Sequence, residues 1–235
     1  MATVDLARAR RIAGGIRHTL MKPYALGMMA QALAGSEKTR PVAAELLAAA
    51  FDEMAGCVEA GKDEFNNMES AAVMAASLLP VAEAIDPALV PEFMWRSVSF
   101  RRPTPGPESD PSQAWFLDDS AAGLAMRIAR YDPATARALL DPIVRRVESE
   151  PDRSGAFVAR EAIVALALVN PQKAVTLFER LPDGPPRSLL HQNKDRARWD
   201  LAAVLARPAD RRWKYLQWNY FHAWVPDVED IVGPF

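Results

Sequence analysis

The sequence has one cysteine, three histidines and no long apolar run, and each shortage removes a class of function. A lone thiol, Cys57, has no partner in the chain for a disulfide, so a stapled secreted scaffold is excluded and a small buried thiol in a reducing compartment is expected. None of His18, His191 and His222 is spaced from another ligand type in a zinc pattern, and no cysteine pair exists. A glycine-rich phosphate loop and a G-x-S-x-G elbow are both missing. No catalytic residue, metal ligand or cofactor is therefore assigned. The longest apolar stretches fall far short of the roughly 18 residues a membrane helix needs, so no membrane partner is expected. Arg8, Arg10, Arg11 and Arg17 open the chain without an apolar segment, which argues against a secretory signal and leaves an organelle transit peptide open, with a soluble, cytoplasmic protein the expectation. An excess of one charge is lacking too. Twenty-eight basic residues against thirty acidic ones give a formal charge of -2, so there is no global attraction to nucleic acid or anionic lipid.

What is abundant is alanine, with 42 residues, while alternating β-branched runs are nearly absent. Alanine favours helix and permits close helix approach. Leu47, Ala50, Phe51, Met54 and Val58 recur at helical spacing, as do Ala136, Leu139, Leu140, Ile143, Val144 and Val147. Met68 to Leu79 and Val158 to Val169 are apolar on nearly every side, the pattern of helices sandwiched between neighbours. Pro142 is expected to kink or restart the helix of residues 134 to 149.

A degenerate internal repeat organises these segments. Arg40-Pro41, Asp86-Pro87, Asp132-Pro133 and Asn170-Pro171 each lead apolar residues: Ala44, Leu47 and Ala48; Val90, Phe93 and Met94; Ala136, Leu139 and Leu140; Ala174, Leu177 and Phe178. Asp or Asn can cap a helix N-terminus, and Pro in the first turn forfeits no intrahelical bond. The spacing resembles that of the α-solenoid superfamily of HEAT-like helical hairpins, whose repeats run about 40 to 47 residues. That resemblance covers roughly residues 18 to 206. It implies an all-α fold, a right-handed superhelix of about five antiparallel helix pairs with a binding face, and no particular chemistry. The units expected within a single domain of residues 1–235 are approximately 18–60, 64–100, 113–149, 154–181 and 188–224, followed by a tail at 225–235. The proline-rich loop at 101–113 offers an alternative boundary between two half-domains. Helical sequence starts almost at Met1 without a polar capping helix, so a multimeric contact or a longer parent protein is expected.

Charged and aromatic clusters supply the candidate sites. Asp118 and Asp119 resemble an aspartate-rich magnesium motif, but Ala121, Ala122 and Gly123 follow where a third acid belongs, and a solvated first helical turn is the simpler expectation. Asp52, Glu53, Glu59, Asp63, Glu64 and Glu69 surround Gly61, with a helix expected to begin near Asp63. Trp95 beside Arg96 resembles the Trp and Arg of substrate grooves in a HEAT-like DNA glycosylase family, although packing is the simpler role for Trp95. Trp213, Tyr215, Trp218, Tyr220, Phe221 and Trp224 crowd into one short segment, next to a basic stretch containing Arg196 and Arg198. A cap sealing the last repeat is the simpler explanation for that crowding. Trp, Tyr and Arg also dominate interface hot spots. Trp213, Tyr215, Trp218, Tyr220, Trp224, Arg196 and Arg198 are thus the candidate partner-binding residues of a non-enzymatic scaffold for a protein or peptide. The alternative is a nucleic-acid-binding or DNA-repair solenoid that stacks bases on Trp95 or the 213–224 cluster. A helical-toroid enzyme would require acids converging in one cleft.

Overall fold

Pro41, Pro133 and Pro171 lie in the first turns of α-helices, and Pro87 opens a 3-10 turn. A computed structural model describes residues 6–16, 20–61, 64–65, 69–101, 111–149, 156–183 and 189–213. The described residues are helical throughout apart from turns and one two-residue strand pair, so the fold is all-α. The chain divides into two compact units, Met1–Gly106 and Pro107–Phe235. No helix among the described residues is long and apolar enough to cross a membrane.

In the first unit, α1 (Leu6–Gly14) packs on α2 (Met21–Ala34), which folds back along α3 (Arg40–Glu59). Pro41 lies in the first turn of α3, where no intrahelical acceptor waits for its missing N–H. Thr39 precedes the helix without capping it. Its Oγ1 instead donates to the Leu33 carbonyl at 2.7 Å and ties the turn between α2 and α3. Leu46, Leu47, Ala50, Phe51 and Met54 are buried on one stripe of α3, and Cys57 extends it. Each large side chain removed from water on such a stripe contributes about 1.5–3 kcal/mol. Gly61 ends the helix at φ +65°, in the left-handed region that a Cβ disfavours.

No helix begins near Asp63. Glu64–Phe65 instead pairs antiparallel with Glu69–Ser70, and α4 starts only at Ala71. The apolar stretch expected as one helix from Met68 to Leu79 is divided into α4 (Ala71–Ala76) and α5 (Leu79–Ile85). Pro80 explains the break, because its ring nitrogen has no hydrogen to donate to the carbonyl of Ala76. Burial on all sides does hold, since every residue of α4 is buried. Gly27 of α2 meets Leu78 in that break so closely that an ideal Cβ would lie 2.6 Å from both Leu78 methyl carbons. After a 3-10 turn at Pro87–Leu89, whose Ala88 N–H donates to Asp86 at 2.9 Å, α6 (Val90–Ser99) packs on α4 and α5.

In the second unit, α7 (Pro111–Ile128) and α8 (Pro133–Ser149) form one hairpin, and α9 (Ala156–Val169) with α10 (Pro171–Arg180) the next. Helix α9 packs on α7 and on α11 (Leu189–Leu205), while α8 touches α9 and α10. Both expected caps are present. Asp132 Oδ1 accepts from the N–H groups of Ala134 and Thr135 at 3.0 Å, and its Oδ2 accepts from Thr135 Oγ1 at 2.6 Å. Asn170 Oδ1 accepts from the Lys173 N–H at 3.1 Å. The whole stripe from Ala136 to Val147 is buried on α8. Pro142 does not restart this helix, which runs unbroken from Pro133 to Ser149. Packing of that stripe outweighs the single hydrogen bond the proline removes. Ala162 to Ala167 are all buried in α9, as an apolar-all-round segment requires.

Candidate functional site

Carboxylates come first, because an enzyme of this architecture would gather them. Asp118, Glu161 and Asp200 are buried on α7, α9 and α11. Asp118 therefore lies in the middle of α7 and not in a solvated first turn. Its Oδ2 stands 3.2 Å from Arg146 Nη1 of α8. Asp200, 2% exposed in its side chain, accepts a 2.7 Å bond from Arg160 Nε of α9. These pairs join neighbouring helices, α7 to α8 and α9 to α11. Among the described residues no group of three or more His, Cys, Asp or Glu could hold a metal ion.

Surface chemistry in the second unit centres on α11. Ala197, Asp200, Leu201 and Val204 are its buried face, at i, i+3, i+4 and i+7. The opposite face carries Trp199, 64% exposed, with Arg196 one turn before it and Ala202 one turn after. Of the basic residues, Arg196 is exposed, whereas Arg198 pairs with Asp195 at 2.6 Å and lies over the Phe178 ring at 5.7 Å. Lys194 is drawn inward, its Nζ donating to the Leu181 carbonyl at 2.5 Å and to Asp183 at 2.7 Å. Trp213 is half-buried: its Nε1 donates to the Asp210 carbonyl at 2.8 Å and Arg130 covers its ring at 3.9 Å. Tyr215, Trp218, Tyr220 and Trp224, together with Phe221, lie outside the described residues.

Trp199 carries no prominence in the sequence beside the denser 213–224 cluster. Its signal is positional, since it lies opposite the apolar spacing of Ala197, Leu201 and Val204. Arg130 gives no signal at all, because its stacking on Trp213 joins residues 83 positions apart.

In the first unit, Trp95 is not a packing residue. It stands 57% exposed between the buried positions Met94 and Ser97 of α6, on the side facing away from Phe93. Arg96 is the inward partner. Its guanidinium carbon lies 5.3 Å from the Phe51 ring centroid and 5.8 Å from that of Phe93, and Nη2 reaches Asp52 at 2.6 Å. Phe51 and Phe93 are in tilted contact with centroids 4.5 Å apart. Three of the four acids of α3 are tied to neighbouring helices by cations: Arg10 reaches Glu45 at 3.7 Å, Lys22 bonds Glu53, and Arg96 holds Asp52. Charge there clasps α3 to α1, α2 and α6.

No protein-family model, curated protein or solved structure matches the chain.

Proposed function

We propose that the chain is a helical-repeat scaffold, an α-solenoid of HEAT-like character with about five antiparallel helix pairs, that binds a protein or peptide partner without catalysing a reaction. The observation that carries the reading is serial packing in the second unit: α9 packs on both α7 and α11, while α8 neighbours α10. Such neighbour-on-neighbour contact is how repeat proteins cohere. Common placement of Pro41, Pro87, Pro133 and Pro171 at helix or turn starts adds support. Binding follows from the outward face of α11, where Trp199 and Arg196 have the chemistry of interface anchors.

Panning a random-peptide display library against the full chain tests the reading. Enriched peptides should lose about tenfold or more in affinity to Trp199→Ala or Arg196→Glu. An absence of enriched peptides, or binding indifferent to both substitutions, contradicts it. The nucleic-acid alternative is favoured by the basic residues of α11, but Arg198 is already committed to Asp195. Salt-sensitive retention on DNA, lost on reversing Arg196 and Arg198, would support that alternative over the scaffold.

A further inference from the structure

Trp95 stands 57% exposed on α6, and neither it nor Glu92 makes a hydrogen bond, ion pair or ring contact among the described residues. Glu92, one turn before Trp95, is exposed, as are Pro91 and Ser99, with half-buried Val98 one turn after. Positions three and four apart on a helix are neighbours, and a helical aromatic side chain leans toward the residues that precede it by three and four, here Glu92 and Pro91. An indole and a carboxylate thus share one outward face. Arg96, the cation next to them in the chain, is already committed: its guanidinium lies over Phe51 and Phe93, and Nη2 bonds Asp52, whose side chain stays 72% exposed. Its charge is therefore matched in place. From the start of α3 to the end of α6 the chain carries ten acids and three bases, and ten against five with Arg101 and Arg102 added. The segment that builds this face is strongly acidic on a chain whose net charge is only -2.

We infer that this face of α6 docks a basic segment of a partner protein, an arginine of which lays its guanidinium on the Trp95 indole and turns its N–H fork to the Glu92 carboxylate. Cation–π attraction uses the flat surface of a guanidinium and charge-assisted hydrogen bonds use its edge, so the two residues act on one ligand group together. Tryptophan is also the side chain most typical of an interface anchor. The face lies in the first unit and needs neither Trp199 nor Arg196, so the inference goes beyond the α11 reading. A nucleic-acid strand fits it poorly. Stacking a base on Trp95 would bring phosphates to a carboxylate-rich segment that repels them.

Fluorescence anisotropy with the full chain and a labelled peptide of about twelve alternating arginine and glycine residues, at roughly 50 mM salt, is the test. Saturable binding is expected, weakened about tenfold or more by Trp95→Ala and several-fold by Glu92→Gln, with Trp95→Phe retaining more affinity than Trp95→Ala because it keeps a ring. Glu37→Arg, in the turn before α3, changes net charge by more than Glu92→Gln does and should leave binding unchanged. Trp95, Glu92 and Glu37 are all exposed, so the variants should keep the wild-type thermal melt. Absence of saturable binding overturns the proposal, as does weakening by Glu37→Arg equal to that by Trp95→Ala. A single-stranded oligonucleotide that binds more tightly than the peptide and is lost in Trp95→Ala overturns it in favour of base stacking. Sedimentation that finds a wild-type dimer dissociated by Trp95→Ala assigns the face to a second copy and overturns it likewise. Peptide binding that ignores Trp95→Ala but is lost in Trp199→Ala would sink this inference while leaving the α11 reading intact.

Discussion

Substituting Gly27 by alanine pits two opposing effects against each other at one position. In an exposed helix interior, glycine to alanine stabilises by about 1 kcal/mol, because alanine loses less backbone entropy. At Gly27 the new methyl would sit 2.6 Å from Leu78 Cδ1 and Cδ2 and 3.2 Å from Cγ, where carbon atoms prefer about 3.5–4.0 Å. Leu78 is 2% exposed and cannot swing into solvent, so α2 or the turn between α4 and α5 must shift. Overpacking of this kind costs about 1–3 kcal/mol and offsets the propensity gain. The net expectation is a loss of up to about 2 kcal/mol. That corresponds to a fall in melting temperature of about 2–4 °C per kcal/mol for a chain of this size. Gly56, exposed in α3 with nothing within 4 Å of an added Cβ, is the control, and Gly56→Ala should stabilise by up to about 1 kcal/mol. Chemical denaturation of both variants measures the difference. Leu78→Ala closes the cycle: alone it should cost about 2–5 kcal/mol, and with Gly27→Ala the combined loss should be less than the sum, because the methyl enters the space vacated. If Gly27→Ala is at least as stable as wild type, or the two losses simply add, the proposed contact is not what holds α2 there.

Asp200→Ala removes the buried carboxylate that bonds the part-buried Arg160 and should cost about 1–3 kcal/mol in denaturation, whereas Arg160→Met with Asp200→Leu should recover most of that loss. Asp132→Ala removes the α8 cap and should cost about 1 kcal/mol at neutral pH. The Thr135 hydroxyl, followed by the Thr135 and Ala134 N–H groups, holds the Asp132 carboxyl below its ordinary range. Its folded pKa is thus the depressed one, so its contribution is complete above the ordinary aspartate range and disappears as pH falls through the folded value. The stability gap between wild type and Asp132→Ala should narrow on acidification, and a gap that widens contradicts the cap. Pro142→Ala restores the donor that α8 lacks and should raise the denaturation midpoint by an amount worth at most about 3 kcal/mol, unless the loss of proline's rigidity in the unfolded chain cancels it.

Much of the helical skeleton was legible in the residues. Proline with a preceding Asp or Asn marks helix starts by local chemistry alone, and the stripe from Ala136 to Val147 shows its buried face through spacing. The division of α4 from α5 has an equally local cause, since Pro80 follows directly on the apolar run from Met68 to Leu79. Features that depend on which helices become neighbours were not legible. Arg160 finds Asp200 forty residues away only because α9 and α11 pack together, and Asp118 is buried only because α8 and α9 cover α7. Trp95 shows the same limit from the surface side, because packing is the simpler expectation for a helical tryptophan and this one stands 57% exposed. Composition singles out the 213–224 cluster, of which Trp213 alone lies among the described residues.

Hydrogen exchange on Leu140→Ala measures the serial character of the packing most directly. Leu140 is fully buried in α8, and its truncation should cost about 2–5 kcal/mol locally. A stack held together neighbour by neighbour predicts lost protection in α7, α8 and α9, with α3 in the first unit keeping wild-type exchange. Equal loss of protection in α3 and α8 would mean one cooperative core and contradict the repeat scaffold.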